Sequence, residues 1–560
     1  MKKKIASLLL AGVLVLTLAG CAKHAAETPA EPEGPQQNTE AQEAENQHTI
    51  DTPQVQEYYL PVTLSYEYDY RTADDGTTIV SGKCPVIELK ELSLKGDGTT
   101  NWRQADGYEK LADAVNSWNQ NSYVTFRGRM DAIEGYAKED YGTDMWTEGM
   151  SYADETSATV TRGDASVLSV SLLNYYDAGG AHPGTTYSSV NFDSQTGDIL
   201  SLSDVVKDTD DLVEIVTEEL QKNYPDINDG LVSGDLQESV KTALTDPAYS
   251  PCFTLSGSGL SITFSAYDLT TYAYGPEFVD LSFSDYPDLF NEKYTKADDT
   301  YFAPIEEGPT VTIPTGQRLS WYLETAMTSE GIDDPANYKL HITVDGHETE
   351  FPAELSYSIK AYGLFKNNKY YLYCDAFSDN DFHFLTIYEI SGNGAACLTG
   401  DNPLSLGFYD VTPVDPENFI LQNRSSVLGS EQVGRYYSVG SDGLPKANGD
   451  VWTFIITDEN GDLANRTLTA KRDVDLVKVK DAADFDSEGE KTTVPTGTTF
   501  ILLTTNANDS GILKADAILK ASDGTYYRVT VTAGPEESGY VHLIDGQEDY
   551  EVFDGLILAG

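Results

Sequence analysis

Three stretches of the chain carry apolar residues at the three- and four-residue spacing of an amphipathic helix. The longest begins with Leu111, Ala114, Val115 and Trp118 and continues with Phe126, Met130, Ile133 and Ala137; the others contain Leu212, Ile215, Val216 and Leu220, then Leu236, Val240 and Leu244. These patterns predict three helices that pack one face against a sheet. A shorter helix is also predicted around residues 319–327.

Most of the remaining chain alternates apolar and polar residues, as half-buried strands do. Residues 62–68, 157–173, 187–192 and 253–283 show this alternation around the predicted helices. Further on, residues 369–374, 382–390 and 452–457 look like strands, and 500–504, 515–520, 526–531 and 540–543 follow at close spacing. The pattern predicts an α+β domain over residues 55–295, a β-rich domain over 310–490, and a small β-barrel or sandwich over 491–560.

The first residues have the pattern of a bacterial targeting signal. Three lysines precede an apolar run over residues 5–18, which ends in Leu18-Ala-Gly-Cys21. This tetrapeptide resembles a lipobox, so residues 1–21 are predicted to be a lipoprotein signal peptide and Cys21 to carry the lipid. Residues 22–54 are rich in Ala, Glu, Gln and Pro, which predicts a disordered tether. We therefore expect an extracytoplasmic protein that is lipid-anchored to the bacterial cell membrane.

Charge narrows the classes of partner. The 560 residues carry a formal net charge of −55. A chain this acidic lacks the basic surface that nucleic acid or anionic lipid headgroups require, whereas it attracts cationic partners. The 36 tyrosines suit either a half-buried sheet surface or a binding face, because tyrosine gives contact area at low entropic cost. No motif predicts a cofactor or a metal site.

Four cysteines remain if Cys21 is lipidated, and an extracytoplasmic location permits disulfides between them. The pairing that keeps each bond within one predicted domain joins Cys84 to Cys252 and Cys374 to Cys397. Four buried free thiols are the alternative, since cysteine is often a core residue.

Residues 174–204 hold a cluster of special residues between two predicted strands. Gly179 and Gly180 permit backbone conformations that other residues avoid, and His182 follows them directly. Pro183-Gly184 predicts a further turn, and residues 193–197 a hairpin-type loop. The cluster predicts a shaped turn that presents His182.

His182 could act as a base, a ligand or a contact residue, or it could simply hold the turn by bonding to loop backbone. A general base needs an orienting carboxylate, and nothing in the spacing of Asp177, Asp193 and Asp198 supplies a geometry. The chain has no GxSxG and no HxxxH, so serine-hydrolase and deacetylase chemistry are not predicted. Carboxylate pairs for glycan hydrolysis cannot be singled out among 91 acidic residues.

Two blocks resemble one known family, the extracellular domain shared by the anti-sigma factor RsiV and the peptidoglycan deacetylase PdaC. The first comprises Tyr176, the Gly-Gly-Ala-His run 179–182, the Asn-Phe-Asp run 191–193, Thr196-Gly197, Leu202 and Asp204; the second runs from Phe264 to Pro276 and includes Tyr267 and Tyr272. The resemblance covers about residues 55–295 and implies a domain that binds or senses. In RsiV this domain binds lysozyme, a cationic protein.

These observations predict a non-enzymatic surface lipoprotein that binds a cell-wall component, such as peptidoglycan, or a wall-acting protein such as lysozyme. The residues expected to contact the ligand are Gly179, Gly180, His182, Tyr187, Asn191, Tyr267 and Tyr272. Two alternatives stay open: an enzyme that acts on cell-wall glycan through unidentified carboxylates, and a structural envelope protein. The oligomeric state does not follow from the sequence.

Overall fold

The structure is a computed structural model. It describes residues 49–50, 59–147, 149–180, 182–246, 249, 251–296, 301–378, 382–400, 402–409, 415–458, 461–507, 513–534 and 542–558. The predicted signal peptide, the predicted lipidation site Cys21 and nearly all of the predicted tether lie outside these residues. Within them, no helix has both the length and the apolar composition needed to cross a membrane.

The first folded part is a five-stranded sheet with one long helix on its face. Its elements are β1 (Thr63–Thr72), β2 (Thr78–Glu88), β3 (Lys90–Leu94), β4 (Thr100–Gln104), α1 (Glu109–Asp140), β5 (Tyr152–Gly163), β6 (Val167–Asp177) and β7 (Gly184–Asp193). The strand order is β1-β2-β5-β6-β7, with β2 and β5 parallel and the other neighbours antiparallel. The apolar stripe of α1 packs on this sheet, which confirms the longest predicted helix.

A second, smaller sheet with helices on one side follows. It comprises α2 (Leu202–Val205), α3 (Thr209–Asn223), α4 (Ile227–Gly230), α5 (Leu236–Thr245), β8 (Cys252–Leu255), β9 (Gly259–Phe264), a 3₁₀ turn (Tyr272–Tyr274), β10 (Glu277–Ser282) and α6 (Glu292–Thr295). The sheet order is β10-β9-β8. Helices α3 and α5 bury the apolar residues that predicted them, in one core with the sheet.

The chain then forms two antiparallel sheets that share a core. Their elements are β11 (Tyr301–Ile305), β12 (Val311–Thr312), β13 (Arg318–Glu324), a 3₁₀ turn (Pro335–Asn337), β14 (Lys339–Val344), β15 (His347–Pro352), β16 (Ser358–Lys366), β17 (Lys369–Phe377), β18 (His383–Ser391) and β19 (Gly394–Cys397). One sheet has the order β11-β16-β17-β18-β19 and the other β12-β13-β14-β15. Their facing apolar residues form one cluster.

The last part is one large sheet network. It contains β20 (Gly407–Phe408), β21 (Phe419–Ser425), β22 (Glu431–Val439), β23 (Pro445–Ala447), β24 (Trp452–Ile455), β25 (Thr467–Ala470), β26 (Val474–Val479), β27 (Glu490–Val494), β28 (Thr499–Thr505), β29 (Lys514–Ala521), β30 (Tyr526–Ala533), β31 (His542–Ile544), β32 (Gln547–Glu548), α7 (Asp549–Val552) and β33 (Phe553–Asp554). The predicted fold class, α+β followed by β-rich, is confirmed.

The boundary predicted between residues 490 and 491 falls inside this network. Strand β26 pairs with β27, and β24 pairs with β28, so strands on both sides of the boundary belong to the same sheet. Their apolar residues also share one core cluster. Residues 491–560 therefore complete the preceding sheet instead of forming a barrel or sandwich of their own.

The helix predicted at residues 319–327 is wrong. Residues 318–324 form β13, in which Leu319 and Trp321 are buried while Tyr322 is exposed. From Leu319 to Glu324, β13 pairs with β14, for example Leu319 with Val344. Pairing with a neighbour distant in sequence decides this segment, because a short apolar run does not distinguish helix from strand.

The structure also corrects the predicted disulfides, since the four cysteines it describes are free thiols. Cys84 packs beside α1, whereas Cys252 lies on β8 in the other sheet. Cys374 on β17 and Cys397 on β19 are separated by β18. Two strand spacings amount to about 10 Å, beyond the Cα separation that a disulfide spans. Burial raises the pKa of the Cys84 and Cys252 thiols to about 11, so both stay protonated and unreactive at neutral pH.

Candidate functional site

The connection between β6 and β7 is a sharp turn that depends on Gly179. Gly179 has φ of 77°, a left-handed conformation that favours glycine. Its backbone N–H donates to Asp177 Oδ1 at 3.0 Å, which closes a small side-chain-to-backbone turn. A Cβ atom at Gly179 would overlap the hydroxyl of Tyr152. Both the backbone angle and the close approach therefore require glycine at this position.

Tyr152 connects this turn to the end of the long helix. Its hydroxyl donates to Asp140 Oδ2 at 2.6 Å, in the last turn of α1. Burial, together with the bond to Asp140, raises the pKa of Tyr152 to about 12, so the hydroxyl keeps its proton and the bond persists at neutral pH. The Gly-Gly turn thus rests on a side chain that is itself held by the helix.

A second loop, residues 265–275, comes from the other sheet between β9 and β10. Tyr267 has φ of 77° although it carries a side chain, a conformation that costs on the order of 1–3 kcal/mol. Its N–H donates to Thr270 O at 2.8 Å, and the Ser265 N–H donates to Asp268 Oδ2 at 2.7 Å. The strained residue is therefore held by its own loop.

Glu277 lies beneath this loop, 2% exposed, and accepts a hydrogen bond from the hydroxyl of the buried Thr270. Burial raises the pKa of Glu277, and the negative charge of Asp268 raises it further. Burial likewise raises the pKa of Asp268. Glu277 thus supports the loop from below, whereas Asp268 closes a turn within the loop.

The two loops meet through aromatic rings. The imidazole of His182 stacks on Tyr272, with ring centroids 3.9 Å apart and planes at 21°. Tyr267 lies next to Tyr272 at a centroid distance of 6.1 Å. Tyr272 is 41% and Tyr267 55% exposed, and His182 is also exposed. We call these three residues the aromatic patch. The structure therefore brings together the predicted contact residues of both sequence blocks.

His182 and Tyr272 also share one backbone carbonyl group, that of Pro183. The Tyr272 hydroxyl lies 3.5 Å from Pro183 O, and His182 Nδ1 lies 3.0 Å from the same atom. Since a carbonyl oxygen only accepts, the His182 bond places the proton on Nδ1. The Nε2 atom is then left as the acceptor of the neutral ring, on the exposed side chain.

Two other predicted contact residues lie elsewhere. Asn191 is 1% exposed; its amide donates to Phe253 O at 2.8 Å and accepts from the Ser169 hydroxyl at 2.6 Å. This corrects its assignment, because a buried amide with such partners joins β7 to β8 and β6 and is not available to a ligand. Tyr187 is half-buried and packs edge-on against Phe278 at 5.5 Å. Gly180, by contrast, is exposed in the turn beside His182.

The loop at residues 193–197 is structural. Asp193 forms an ion pair with Lys293, accepts from the Tyr294 hydroxyl at 3.0 Å, and accepts from the backbone N–H groups of Gln195 and Thr196. Burial by itself would raise the pKa of Asp193, but these bonds outweigh it and hold the pKa below its ordinary value. The Asp-Ser-Gln-Thr-Gly run thus fastens β7 to α6 through Asp193.

Two of the carboxylates that lie near His182 in the sequence have other partners. Asp177 accepts a hydrogen bond from the Gly179 N–H, and Asp193 forms an ion pair with Lys293. Over the described residues, no group of three or more His, Cys, Asp or Glu side chains is placed to hold a metal ion. What the patch offers is a fixed, exposed pair of stacked rings with a third ring alongside.

Sequence reasoning missed the residues that support the patch. Tyr152, Asp140 and Glu277 lie outside the Gly-Gly turn, and no motif marks them. A partial signal existed for Glu277, because it stands two and four residues before the apolar Val279 and Leu281 and so shares their face of the strand. A carboxyl group is buried at low cost only when a hydrogen-bond partner is present. The partner of Glu277 is Thr270, in the loop of residues 265–275.

No family model and no curated protein matches the sequence. Among solved structures, a DUF3298 family protein from Bacteroides fragilis is similar over 42% of this chain and 96% of its own, with a TM-score of 0.31 and 15% identity. A DUF3298 family protein from Pseudomonas aeruginosa is similar over 43% of this chain and 98% of its own, at 0.29 and 11%. These two are bacterial proteins of the domain type that the sequence resemblance names.

A GH43_12 protein retrieved from a capybara gut metagenome is similar over 72% of this chain and 89% of its own, with a TM-score of 0.20 and 10% identity. TM-scores and identities this low do not assign an activity or a ligand to this chain.

Proposed function

We propose that this chain is a non-enzymatic, lipid-anchored protein of the bacterial cell surface that binds a cationic, wall-acting protein such as lysozyme. The aromatic patch of His182, Tyr267 and Tyr272 forms the centre of the contact. The single observation that carries the proposal is the exposed stack of His182 on Tyr272, 3.9 Å between ring centroids. Exposed aromatic rings that are already ordered lose little entropy on binding, which suits them to anchor an interface.

The support beneath the patch strengthens the proposal. Gly179 occupies a left-handed conformation and Tyr267 a strained one, and they lie in the two loops that meet at the patch. Strained backbone that the surrounding structure maintains is typical of functional loops. The two loops come from different sheets, so the patch exists only in the folded domain.

Charge supports a cationic partner over an anionic one. The net charge of −55 steers a positively charged protein towards the surface and raises its association rate at low salt. It would repel an anionic polymer by the same physics. The predicted lipid anchor at Cys21 would hold the binding domain outside the membrane, where such a protein acts. The resemblance to the RsiV domain, which binds lysozyme, points to the same class of partner.

The test is a binding measurement of the purified protein with lysozyme over a salt series from low to high ionic strength. We expect saturable binding whose association rate falls as salt rises. His182→Ala and Tyr272→Ala should each weaken the affinity at least about tenfold, the size expected for a central aromatic contact. Tyr322→Ala is the matched control, because Tyr322 is 40% exposed and also stacks on a histidine, His341, but lies on β13, outside both loops.

Two results would contradict the proposal. Binding that depends on salt but is unchanged in both patch variants would reduce the interaction to net charge. The absence of binding at low salt would remove lysozyme, and the same variants would then be tested with peptidoglycan fragments. Loss of fragment binding in the patch variants would reassign the patch to a cell-wall component. No specific observation among the described residues favours the glycan-acting enzyme or the structural envelope protein.

A further inference from the structure

A cavity of about 210 Å³ lies between the five-stranded sheet and the β8–β10 sheet, bordered by residues 303–313. It is separate from the aromatic patch, whose three residues do not line it. An engineered cavity of about 150 Å³ is enough to bind benzene. The space here is therefore large enough for a six-membered ring with substituents.

Hydroxyl groups supply much of the polar part of a lining that is otherwise apolar. They come from alternate positions on facing strands, where side chains point to the same side: Ser157, Thr159 and Thr161 on β5, Ser171 on β6, Thr254 and Ser256 at β8, and Ser261 and Thr263 on β9. Within the described part of the chain, the hydroxyl groups of Thr159, Ser171 and Thr254 make no hydrogen bond. These three groups are partly exposed, so they are open to a ligand in the cavity.

An aromatic wall and a carboxylate complete the lining. Tyr187 and Phe278 meet edge to face at 5.5 Å and both border the cavity. Asp280 borders it as well; its Oδ1 accepts from the Ser261 hydroxyl at 2.9 Å and its Oδ2 from the Thr312 N–H at 2.6 Å. Burial raises the pKa of Asp280 to about 6. Its carboxyl group is therefore mainly ionised at pH 7 and can accept hydrogen bonds from ligand hydroxyls.

The cavity adjoins the face of the five-stranded sheet that lies opposite helix α1. Directly opposed residues share a face, and one such row runs from Tyr68 through Lys83 and Glu155 to Tyr175. The neighbouring row of Ser157, Leu173 and Tyr187 lines the cavity itself. Helix α1 covers the opposite face, where Phe126 and Met130 pack on Gly82. Lys83 in the first row donates to the Ser157 hydroxyl in the second row at 3.1 Å, so the outer row adjoins the cavity lining.

Two exposed tyrosines lie on β1, the edge strand of this face. Tyr68 and Tyr70 on β1 are 58% and 60% exposed, and their ring planes are parallel within 1° at a centroid distance of 6.4 Å. Strand β1 lies three strand spacings from β6, or about 15 Å. Lys83 lies 4.2 Å from the ring centroid of Tyr66, which adds a hydrogen-bond donor between the tyrosines and the cavity.

We propose that the cavity binds one sugar ring and that the sheet face binds the continuation of the same straight glycan chain as far as Tyr68 and Tyr70. Hydroxyl groups and a carboxylate suit the many hydroxyls of a sugar, and aromatic rings suit its apolar face. Parallel tyrosine rings on a sheet suit a flat chain and not a helical one. This glycan site is independent of the aromatic patch and goes beyond the function proposed for it.

The experiment titrates the full-length protein with four probes by calorimetry: cellohexaose and chitohexaose, which are straight, maltohexaose, which is curved, and N-acetylglucosamine as a single ring. We expect a straight hexasaccharide to bind at least tenfold more tightly than the single ring, and maltohexaose to bind no better than the single ring. The double variant Thr159→Val, Thr254→Val removes two cavity hydroxyls at nearly constant shape. It should weaken both the single ring and the hexasaccharide at least tenfold.

A second double variant, Tyr68→Ala with Tyr70→Ala, should weaken only the hexasaccharide. The matched control is His182→Ala with Tyr272→Ala, which should leave sugar binding unchanged. An unchanged melting temperature in each variant shows that the fold is intact. Absence of binding by all four probes overturns the proposal, as does hexasaccharide binding that survives both the cavity and the tyrosine variants. Equal affinity for maltohexaose overturns the assignment of a straight chain. If the control variant loses lysozyme binding but keeps sugar binding, the result supports two separate sites.

Discussion

Gly179 shows how one residue can determine the shape of a binding turn. Its left-handed backbone and its approach to the Tyr152 hydroxyl both exclude a side chain. Gly180, the next residue, has neither constraint, since a Cβ there would meet its nearest atom only at 3.7 Å. The pair therefore looks symmetrical in the sequence but is not symmetrical in the structure.

We expect Gly179→Ala to lower the free energy of unfolding by about 2–4 kcal/mol, through backbone strain and overlap with Tyr152. Gly180→Ala is the matched control and should change it by less than about 1 kcal/mol. Urea denaturation of both variants measures the difference. Equal effects of the two substitutions would show that the turn does not rest on Tyr152.

Asp193 is one residue through which the free energy of unfolding should depend on pH. Its folded-state pKa is lowered, so its contribution is present above the unfolded-state pKa and is lost as pH falls through the folded-state pKa. The carboxylate is buried against Lys293 and Tyr294.

Asp193→Asn should therefore cost about 1–3 kcal/mol of unfolding free energy at pH 7. The deficit relative to the unsubstituted protein should shrink as urea denaturation is repeated at falling pH. The loss begins below the ordinary aspartate pKa and is complete below the lowered folded-state pKa, where the carboxyl group is protonated in the folded protein too. Asp198→Asn, at an exposed position five residues further on, is the control. A deficit that stays constant with pH would contradict the ionic role.

At the scale of elements, the long helix α1 is fastened to the sheet by a side chain as well as by its apolar stripe. Asn119 accepts from the Ile87 N–H at 3.1 Å and donates to the Ile87 carbonyl oxygen at 2.8 Å. The parallel pairing of β2 with β5 covers only residues 80–83 of β2. The amide of Asn119 thus takes the place of a neighbouring strand where that pairing has ended.

Asn119→Ala should lower the unfolding free energy by about 2–3 kcal/mol, because both hydrogen bonds are lost and the polar groups of Ile87 remain partly buried. Asn121→Ala, at an exposed position of the same helix, should change it by less than about 0.5 kcal/mol. Thermal or urea unfolding distinguishes them. A similar small effect at both positions would mean that packing alone holds the helix.

At the scale of the whole molecule, distant parts of the chain share one folded unit. The β3–β4 hairpin packs Leu92 and Leu94 against Tyr436 and Ile455, and the Leu94 N–H donates to the Tyr436 hydroxyl at 3.2 Å. Strands β27 to β33 complete the sheet begun by β20 to β26. The last seventy residues are therefore part of the core and not an appended module.

A chain that ends at Gly489 should fail to show a cooperative unfolding transition, because it leaves unpaired the edges of β24, β25 and β26 and exposes the apolar core that they share with β28 to β30. Deletion of residues 1–48, which include the predicted tether, is the control and should leave the transition in place. Limited proteolysis and circular dichroism report the result. A folded, protease-resistant chain ending at Gly489 would restore the predicted boundary.

The sequence by itself determined the local features of this protein. Periodicity identified helices α1, α3 and α5 and the strands of the β6–β7 hairpin, because burial of one face leaves its mark every three to four or every two residues. Glycine marked the turn at residue 179, since few other residues adopt its backbone angle. The motif residues also identified the two loops that carry His182 and Tyr272.

Only the tertiary structure decided what depends on partners distant in sequence. The stacking of His182 on Tyr272, the burial of Asn191, the strand at 318–324 and the free state of the cysteines all follow from which strands lie side by side. The glycan cavity arises in the same way, between two sheets that no local pattern brings together. Local patterns record which face of an element is buried, but pairing and packing energies between remote segments choose what that face meets.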